Sequence, residues 1–201
     1  MNSRFDKIAK IYDIINLIFS LGVDHYSRWF LSKRVSGTIC DVGAGKGELS
    51  MYLSKRKKVK KIFAIEISKK MLEKRLLNKK IFYVRADANF LPFKNKSFDY
   101  VVSSFLWRNI EQKELFLRET RRILKNSGEI YILEMVRPST PFSFVLIPYI
   151  YFFTYILSIF FPEYNFLRSS ILGLKIREFS RNYKIKEKIN IFGTIFYLFK
   201  L

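Results

Sequence analysis

Thr38-Ile39-Cys40-Asp41-Val42-Gly43-Ala44-Gly45-Lys46-Gly47-Glu48-Leu49 joins three local signals in succession. Residues 38–42 are a short apolar run with Asp41 near its end, which suits a strand buried on both faces. Glycines then occupy every second position, at Gly43, Gly45 and Gly47. Beyond them Leu49, Tyr52 and Leu53 recur at helical spacing. The reading is strand, tight turn, helix start. Glycine in such a turn permits positive φ and lets a ligand approach the main chain. The helix start offers unpaired N–H groups, so a ligand carrying a carboxylate or phosphate suits the place.

The loop spacing is G-x-G-x-G, with Glu48 where the dinucleotide fingerprint would put a late glycine. The next strand-like run, 61–66, ends in Glu66, an acid able to take both hydroxyls of a ribose. This pattern resembles the nucleoside-binding half of class I S-adenosylmethionine-dependent methyltransferases. The alternative is a glycine turn that only packs a helix on a sheet.

Working outward, strands alternate with helices. Strands are expected at 38–42, 61–66, 81–85, 98–104 and 129–135. Helices are expected at about 46–55, at 68–77 with Ser68 as cap, and at 112–124, stopped by Asn126-Ser127-Gly128. The end reads as a hairpin, 184–192 and 195–200, turning at Gly193. This alternation implies parallel pairing with right-handed crossovers. The expected fold is α/β: a doubly wound, mostly parallel, Rossmann-like seven-stranded sheet closed by an antiparallel C-terminal hairpin. With no internal repeat or low-complexity linker, residues 1–201 read as one domain. An N-terminal helical cover falls at 1–35 and an apolar helical insertion at 140–175.

The 201 residues are 49% hydrophobic, which excludes a disordered chain. The single cysteine, Cys40, excludes an internal disulfide framework and reads as strand packing. The single histidine, His25, cannot build a histidine-based metal site, so no metal is expected. The net charge of +20 favours an anionic membrane surface or nucleic acid, although lysine-rich composition also arises from genome bias or a hot habitat.

Phe5, Ile8, Tyr12, Ile15 and Phe19 mark an amphipathic helix over 4–19, and Asp24 is placed to cap a second helix through about Leu31. Arg4, Asp6, Lys7, Lys10 and Asp13 interrupt the stretch, unlike the apolar core of a signal peptide. Residues 142–161 carry no charge, and their length reaches the roughly 20 residues of a membrane span. Pro148 interrupts the segment, and sheet strands must resume after it on the same side. The preferred reading is a helical pair lying on the membrane face, with a buried core helix as the alternative.

Several stretches together resemble the ubiquinone/menaquinone biosynthesis C-methyltransferases. They are Arg4-Phe5-Asp6-Lys7-Ile8-Ala9 with Tyr12-Asp13, the loop 41–49, Asp87-Ala88 followed by Leu91-Pro92-Phe93, Ser97-Phe98-Asp99, Ser104-Phe105-Leu106-Trp107-Arg108-Asn109 and Leu133-Glu134. Departures are Ala44 in the loop, Glu66 for the usual aspartate, and Leu106-Trp107 for a Gly-Leu pair. Trp107 is therefore expected to add bulk beside the substrate.

The resemblance implies a methyltransferase using S-adenosylmethionine on a lipid-soluble quinol or another small molecule. It implies cofactor contacts from Asp41, Gly43, Gly45, Gly47 and Ser50. Glu66 would serve the ribose hydroxyls, Asp87 and Ala88 the adenine, and Ser104 the crevice at the end of its strand. Catalytic roles fall to Arg108, as electrostatic support and water positioning since guanidinium keeps its proton, and to Asn109, Tyr12 and Asp13. The expected location is cytoplasmic and peripheral on the inner face of an anionic membrane. The alternative is a membrane protein with one hydrophobic segment at 142–161. Competing functions are methylation of another lipid, such as a phospholipid headgroup amine, or of nucleic acid. Ser103-Ser104-Phe105-Leu106 stands where base-amino methyltransferases resemble one another in an Asn/Asp-Pro-Pro-aromatic motif, so no nucleic-acid partner is expected.

Overall fold

Ile39, Cys40 and Val42 alternate between the two faces of β1 (Gly37–Val42), and all three are fully buried. Ile39 joins Leu31, Leu53 and Ile62 on one face, while Cys40 and Val42 join Ile65, Val101 and Phe116 on the other. Burial on both faces is what an interior parallel strand requires. Each such Ile or Val contributes about 1.5–3 kcal/mol.

The structure, a computed structural model, describes residues 22–136, 143–160, 183–191 and 196–201. β1 pairs in parallel with β2 (Val59–Glu66) on one side and with β4 (Phe98–Ser104) on the other. β3 (Ile81–Arg85) extends the sheet beyond β2, and β5 (Leu124–Met135) extends it beyond β4. The antiparallel pair β6 (Glu187–Asn190) and β7 (Phe196–Lys200) completes the order β3-β2-β1-β4-β5-β7-β6. The expected doubly wound sheet with its antiparallel hairpin is therefore observed. Strand order reverses between β1 and β4, and ligands bind such sheets beyond the carboxyl ends at that point.

Helices α1 (Val23–Ser32) and α2 (Glu48–Ser54) cover the Ile39 face, and α4 (Lys113–Ile123) covers the other. Asp24 does not cap α1. Gly22, at φ 79°, takes that position, and Asp24 sits in the first turn bonded to Arg28. Ser68 does cap α3 (Lys69–Glu73) by accepting the Met71 N–H, but the helix ends four residues early. The Leu76 N–H donates to the Lys46 carbonyl and the Tyr83 hydroxyl to the Leu76 carbonyl, which draws the chain back toward the glycine loop. Helix α4 is not stopped by Asn126-Ser127-Gly128: it ends at Ile123, and β5 begins at Leu124, five residues before the expected strand, and runs through those three, with a register shift against β4 between Phe98 and Tyr100.

Residues 143–160 form one helix, α5 (Ser143–Phe160), with Pro148 inside it, rather than a helical pair. Tyr149 and Phe153, with rings stacked at 5.9 Å, pack against the core. Among the described residues no helix is long and apolar enough to cross a membrane. The helix expected over 4–19 with Tyr12 and Asp13, the parts of the 140–175 insertion outside residues 143–160, and the Gly193 turn lie outside the described residues.

Candidate active site

The N–H groups of Gly43 and Ala44 both donate to the Ile65 carbonyl, at 2.8 and 2.9 Å, so the loop after β1 hangs on the end of β2. Two of its glycines are sterically required. A Cβ on Gly43 (φ 72°) would sit 2.7–2.9 Å from the Leu106 side chain. One on Gly47 (φ 92°) would collide with the Tyr83 hydroxyl.

Glu66, at the end of β2, ties this loop to the start of α3. Its Oε2 accepts the Gly45 N–H at 2.9 Å and its Oε1 the Ser68 N–H at 2.8 Å. Each carboxylate oxygen keeps accepting capacity after one such bond, so the acid is oriented and still able to take two hydroxyls.

Asp41 lies beneath the loop with 0% exposure. Its Oδ2 accepts the Ser50 hydroxyl at 2.6 Å, while Oδ1 is buried without a partner. Burial pushes the Asp41 carboxyl up to about 7, against the downward pull of the Ser50 hydroxyl and the Arg28 guanidinium. An orphaned buried carboxylate oxygen is costly in isolation and calls for a cation or donor nearby.

The facing wall comes from β4 and the chain after it, with Ser104, Phe105, Leu106 and Asn109 lining the cavity. Phe105 holds φ at 59°, unusual for a bulky residue, while its N–H donates to the Leu133 carbonyl at 2.8 Å. Asn109 ends a 3-10 turn, Trp107–Asn109. Its neighbour Arg108 does not line the cavity: its guanidinium lies behind the wall, 5.9 Å from the Phe105 ring centroid, and bonds through Nη1 to Glu134 Oε1 at 2.7 Å. Those two side chains are 5% and 0% exposed.

Of the predicted cofactor residues, Gly43, Gly45, Glu66 and Ser104 line one cavity, joined by Asn109 from the catalytic set. Asp41, Ser50 and Gly47 stand behind it as support. Asp87 and Ala88 are not on its wall, and Asp87 Oδ1 accepts the Asn89 N–H at 2.8 Å as a turn former does. Trp107 does not crowd the substrate side. It is 1% exposed and packs edge-to-face on Phe116 and Tyr183, so Leu106 supplies the bulk at Gly43 instead. Sequence reasoning missed Arg28, Glu48, Phe105 and Leu106 on the wall. An Asp24/Arg28 spacing of four was the one local signal for Arg28.

These residues suit S-adenosylmethionine: a glycine loop open to the cavity, an oriented acid for the ribose, and a buried acid beneath the loop for a cationic amino-acid end. Fold and site together define a class I S-adenosylmethionine-dependent methyltransferase. A solved S-adenosylmethionine-dependent methyltransferase from Methanococcus maripaludis shares the fold at a TM-score of 0.70 and 24% identity, over 100% of this chain and 94% of that one. One from Thermotoga maritima does so at 0.69 and 18% identity, over 100% and 98%.

The chain belongs to the ubiE/COQ5 methyltransferase family, whose profile matches residues 1–187. A demethylmenaquinone methyltransferase of Thermotoga maritima is 34% identical over 186 residues, covering 84% of this chain and 79% of the relative. A ubiquinone/menaquinone biosynthesis C-methyltransferase of Hahella chejuensis is 28% identical over 192 residues, covering 90% and 72%.

Proposed function

We propose that this enzyme methylates a ring carbon of a polyprenylated quinol, working peripherally on the cytoplasmic face of an anionic membrane. The observation that carries this reading is the family match over residues 1–187. The names of the relatives from Thermotoga maritima and Hahella chejuensis point to the same substrate class.

Carbon methylation requires an electron-rich ring carbon, which ionisation of an adjacent hydroxyl provides. The cofactor supplies an electrophilic methyl group on a sulfonium. The remaining task of the protein is in-line placement and exclusion of water. Asn109 bonds the ring hydroxyl across from the glycine loop, while Ser104 serves the cofactor crevice at the end of β4; both line the same cavity. Arg108 acts through the turn it anchors on Glu134, holding Asn109 toward the cavity. The family match supports an adenine contact from Asp87 and Ala88, which stand beyond the cavity wall, and substrate roles for Tyr12 and Asp13, with Asp13 as proton acceptor.

A polyprenyl tail leaves the bilayer at a cost of about 0.8 kcal/mol per methylene, so the enzyme must approach the lipid. Helix α5 supports such an approach, since residues 143–160 contain no charged side chain. One side of it packs on the core through Tyr149 and Phe153, while Val145, Phe152, Tyr155 and Ile159 stand 60–69% exposed. An exposed apolar row of this kind marks an interaction surface. The +20 charge of the chain adds attraction to anionic lipid, at about 1 kcal/mol per basic side chain near the surface.

Incubation with methyl-labelled S-adenosylmethionine and vesicles containing a polyprenylated demethylquinol tests the assignment. Ring-methylated quinol is the expected product. Label found in phospholipid headgroups or in added RNA, with none in the quinol, would overturn it.

A further inference from the structure

Helix α1 buries an unusual face. Asp24, Ser27, Arg28 and Ser32 are all turned inward at 0–5% exposure, where such side chains seldom sit unless partnered. Arg28 is the centre of this face and reaches the wall of the cofactor cavity beside Gly43 and Gly45. Its Nη1 bonds Asp24 Oδ2 at 2.7 Å, and its Nη2 bonds Glu48 Oε2 at 2.7 Å. Its plane lies over the Phe105 ring, 4.9 Å from the centroid. Its Nε is buried and has no partner.

Nε and Nη2 form one edge of a guanidinium, the edge that meets a carboxylate through two parallel bonds. Glu48 uses only half of it, through one oxygen, and its side chain is 27% exposed. Asp24 holds the other side of the group and is 8% exposed. Arg28 is thus a fixed cation with one buried donor unmet and one donor held by an acid that has access to solvent.

We propose that the Nε/Nη2 edge of Arg28 receives the α-carboxylate of S-adenosylmethionine, and that Glu48 is a place-holder which that carboxylate displaces. Arg28 and Lys46 are the cationic side chains on the cavity wall, and Arg28 is the buried one. Glu66 marks the ribose end of the cavity. Arg28 and Glu48 are paired on the cavity wall and the charge of Arg28 is felt by the underlying Asp41, so the amino-acid end of the cofactor would lie among these three. Asp24 fixes the guanidinium and Phe105 supports its face, so the edge stays oriented when Glu48 leaves. Displacement returns Glu48 to water and gives the buried Nε a partner.

Calorimetric titration with two probes tests this: S-adenosylhomocysteine, and its decarboxylated form, which keeps the amine and lacks only the carboxylate. Wild type should prefer the first. In Asp24→Asn/Arg28→Met, which removes the cation without stranding a buried acid, that preference should fall about 10- to 100-fold, the range of two lost charged bonds in part compensated by water. Affinity for the decarboxylated probe should stay within about threefold. Glu48→Gln, which weakens the competitor, should bind S-adenosylhomocysteine more tightly and leave the decarboxylated probe unchanged. Equal losses for both probes in the double variant would make Arg28 a structural residue. Weaker S-adenosylhomocysteine binding in Glu48→Gln would overturn the displacement, and that variant decides the matter even if the double variant does not fold.

Discussion

Replacing Arg108 by alanine should strand a buried acid. Glu134 is 0% exposed, and its Oε1 lies 2.7 Å from Arg108 Nη1. The same carboxylate accepts the Met135 N–H at 2.8 Å and the Arg108 N–H at 3.3 Å. Burial pushes its pKa above the usual carboxylate range, and the Arg108 guanidinium is the leading influence drawing it back. Losing one partner of a buried pair costs about 3–5 kcal/mol, and the backbone bonds that remain place this case near the lower end, about 3 kcal/mol. The loss must depend on pH. Without Arg108 the folded-state pKa of Glu134 climbs further above its unfolded value. Between those two values the folded protein keeps a proton that the unfolded chain releases, so stability falls as pH rises through the window. Urea unfolding at pH 5.5 and pH 8 measures this for wild type, Arg108→Ala and Arg108→Ala/Glu134→Gln. The single variant should be worse at pH 8 by about 1 kcal/mol or more, and the double variant should recover most of the loss. A deficit below about 0.5 kcal/mol, within the range of ordinary surface substitutions, or one indifferent to pH and to Glu134, would refute the buried-pair account. Where Arg108→Ala remains folded it should bind S-adenosylmethionine normally and turn over slowly, because the turn carrying Asn109 loses its anchor.

Glu66→Ala should weaken S-adenosylmethionine binding by at least about 100-fold in calorimetry, the equivalent of two charged hydrogen bonds. Unchanged affinity would remove the ribose assignment. Asp41 ionises in the folded state only near pH 7, against 3.8 ordinarily, so the stability of the cofactor-free protein should decline from about pH 4 to 7 and level off above. Asp41→Asn should abolish that slope in thermal unfolding and be the more stable protein at pH 7.5. It should also lack the rise in affinity for the cationic cofactor that is expected of wild type from pH 6 to 7.5, as Asp41 ionises. Phe152→Asp/Ile159→Asp changes two side chains that are 67% and 64% exposed, so it should fold as wild type. It should nevertheless float poorly with anionic vesicles, and equal flotation would dismiss α5 as the membrane contact.

Local pattern was enough for the sheet and the glycine loop. A strand buried on both faces, glycines at alternate positions and an acid closing the next strand are each dictated within a few residues, by steric limits on φ and by burial. The strand ends at Arg85 and Ser104, and the cap at Ser68, were legible for the same reason. Distant contacts decided the rest. The early end of α3 depends on bonds from Leu76 to Lys46 and from Tyr83 to Leu76, and the run of β5 through Asn126-Ser127-Gly128 depends on pairing with β4. No local rule told whether Leu106 or Trp107 would face Gly43, because that choice follows from the left-handed turn at Phe105. Arg108 read as electrostatic support for the substrate, and only the fold set it against Glu134, 26 residues away. Arg28 and Glu48 met only when α1 packed on α2, and Asp41 acquired its raised pKa only by burial. Charge, spacing and turn chemistry are properties of the chain, whereas partnering and desolvation belong to the packed molecule.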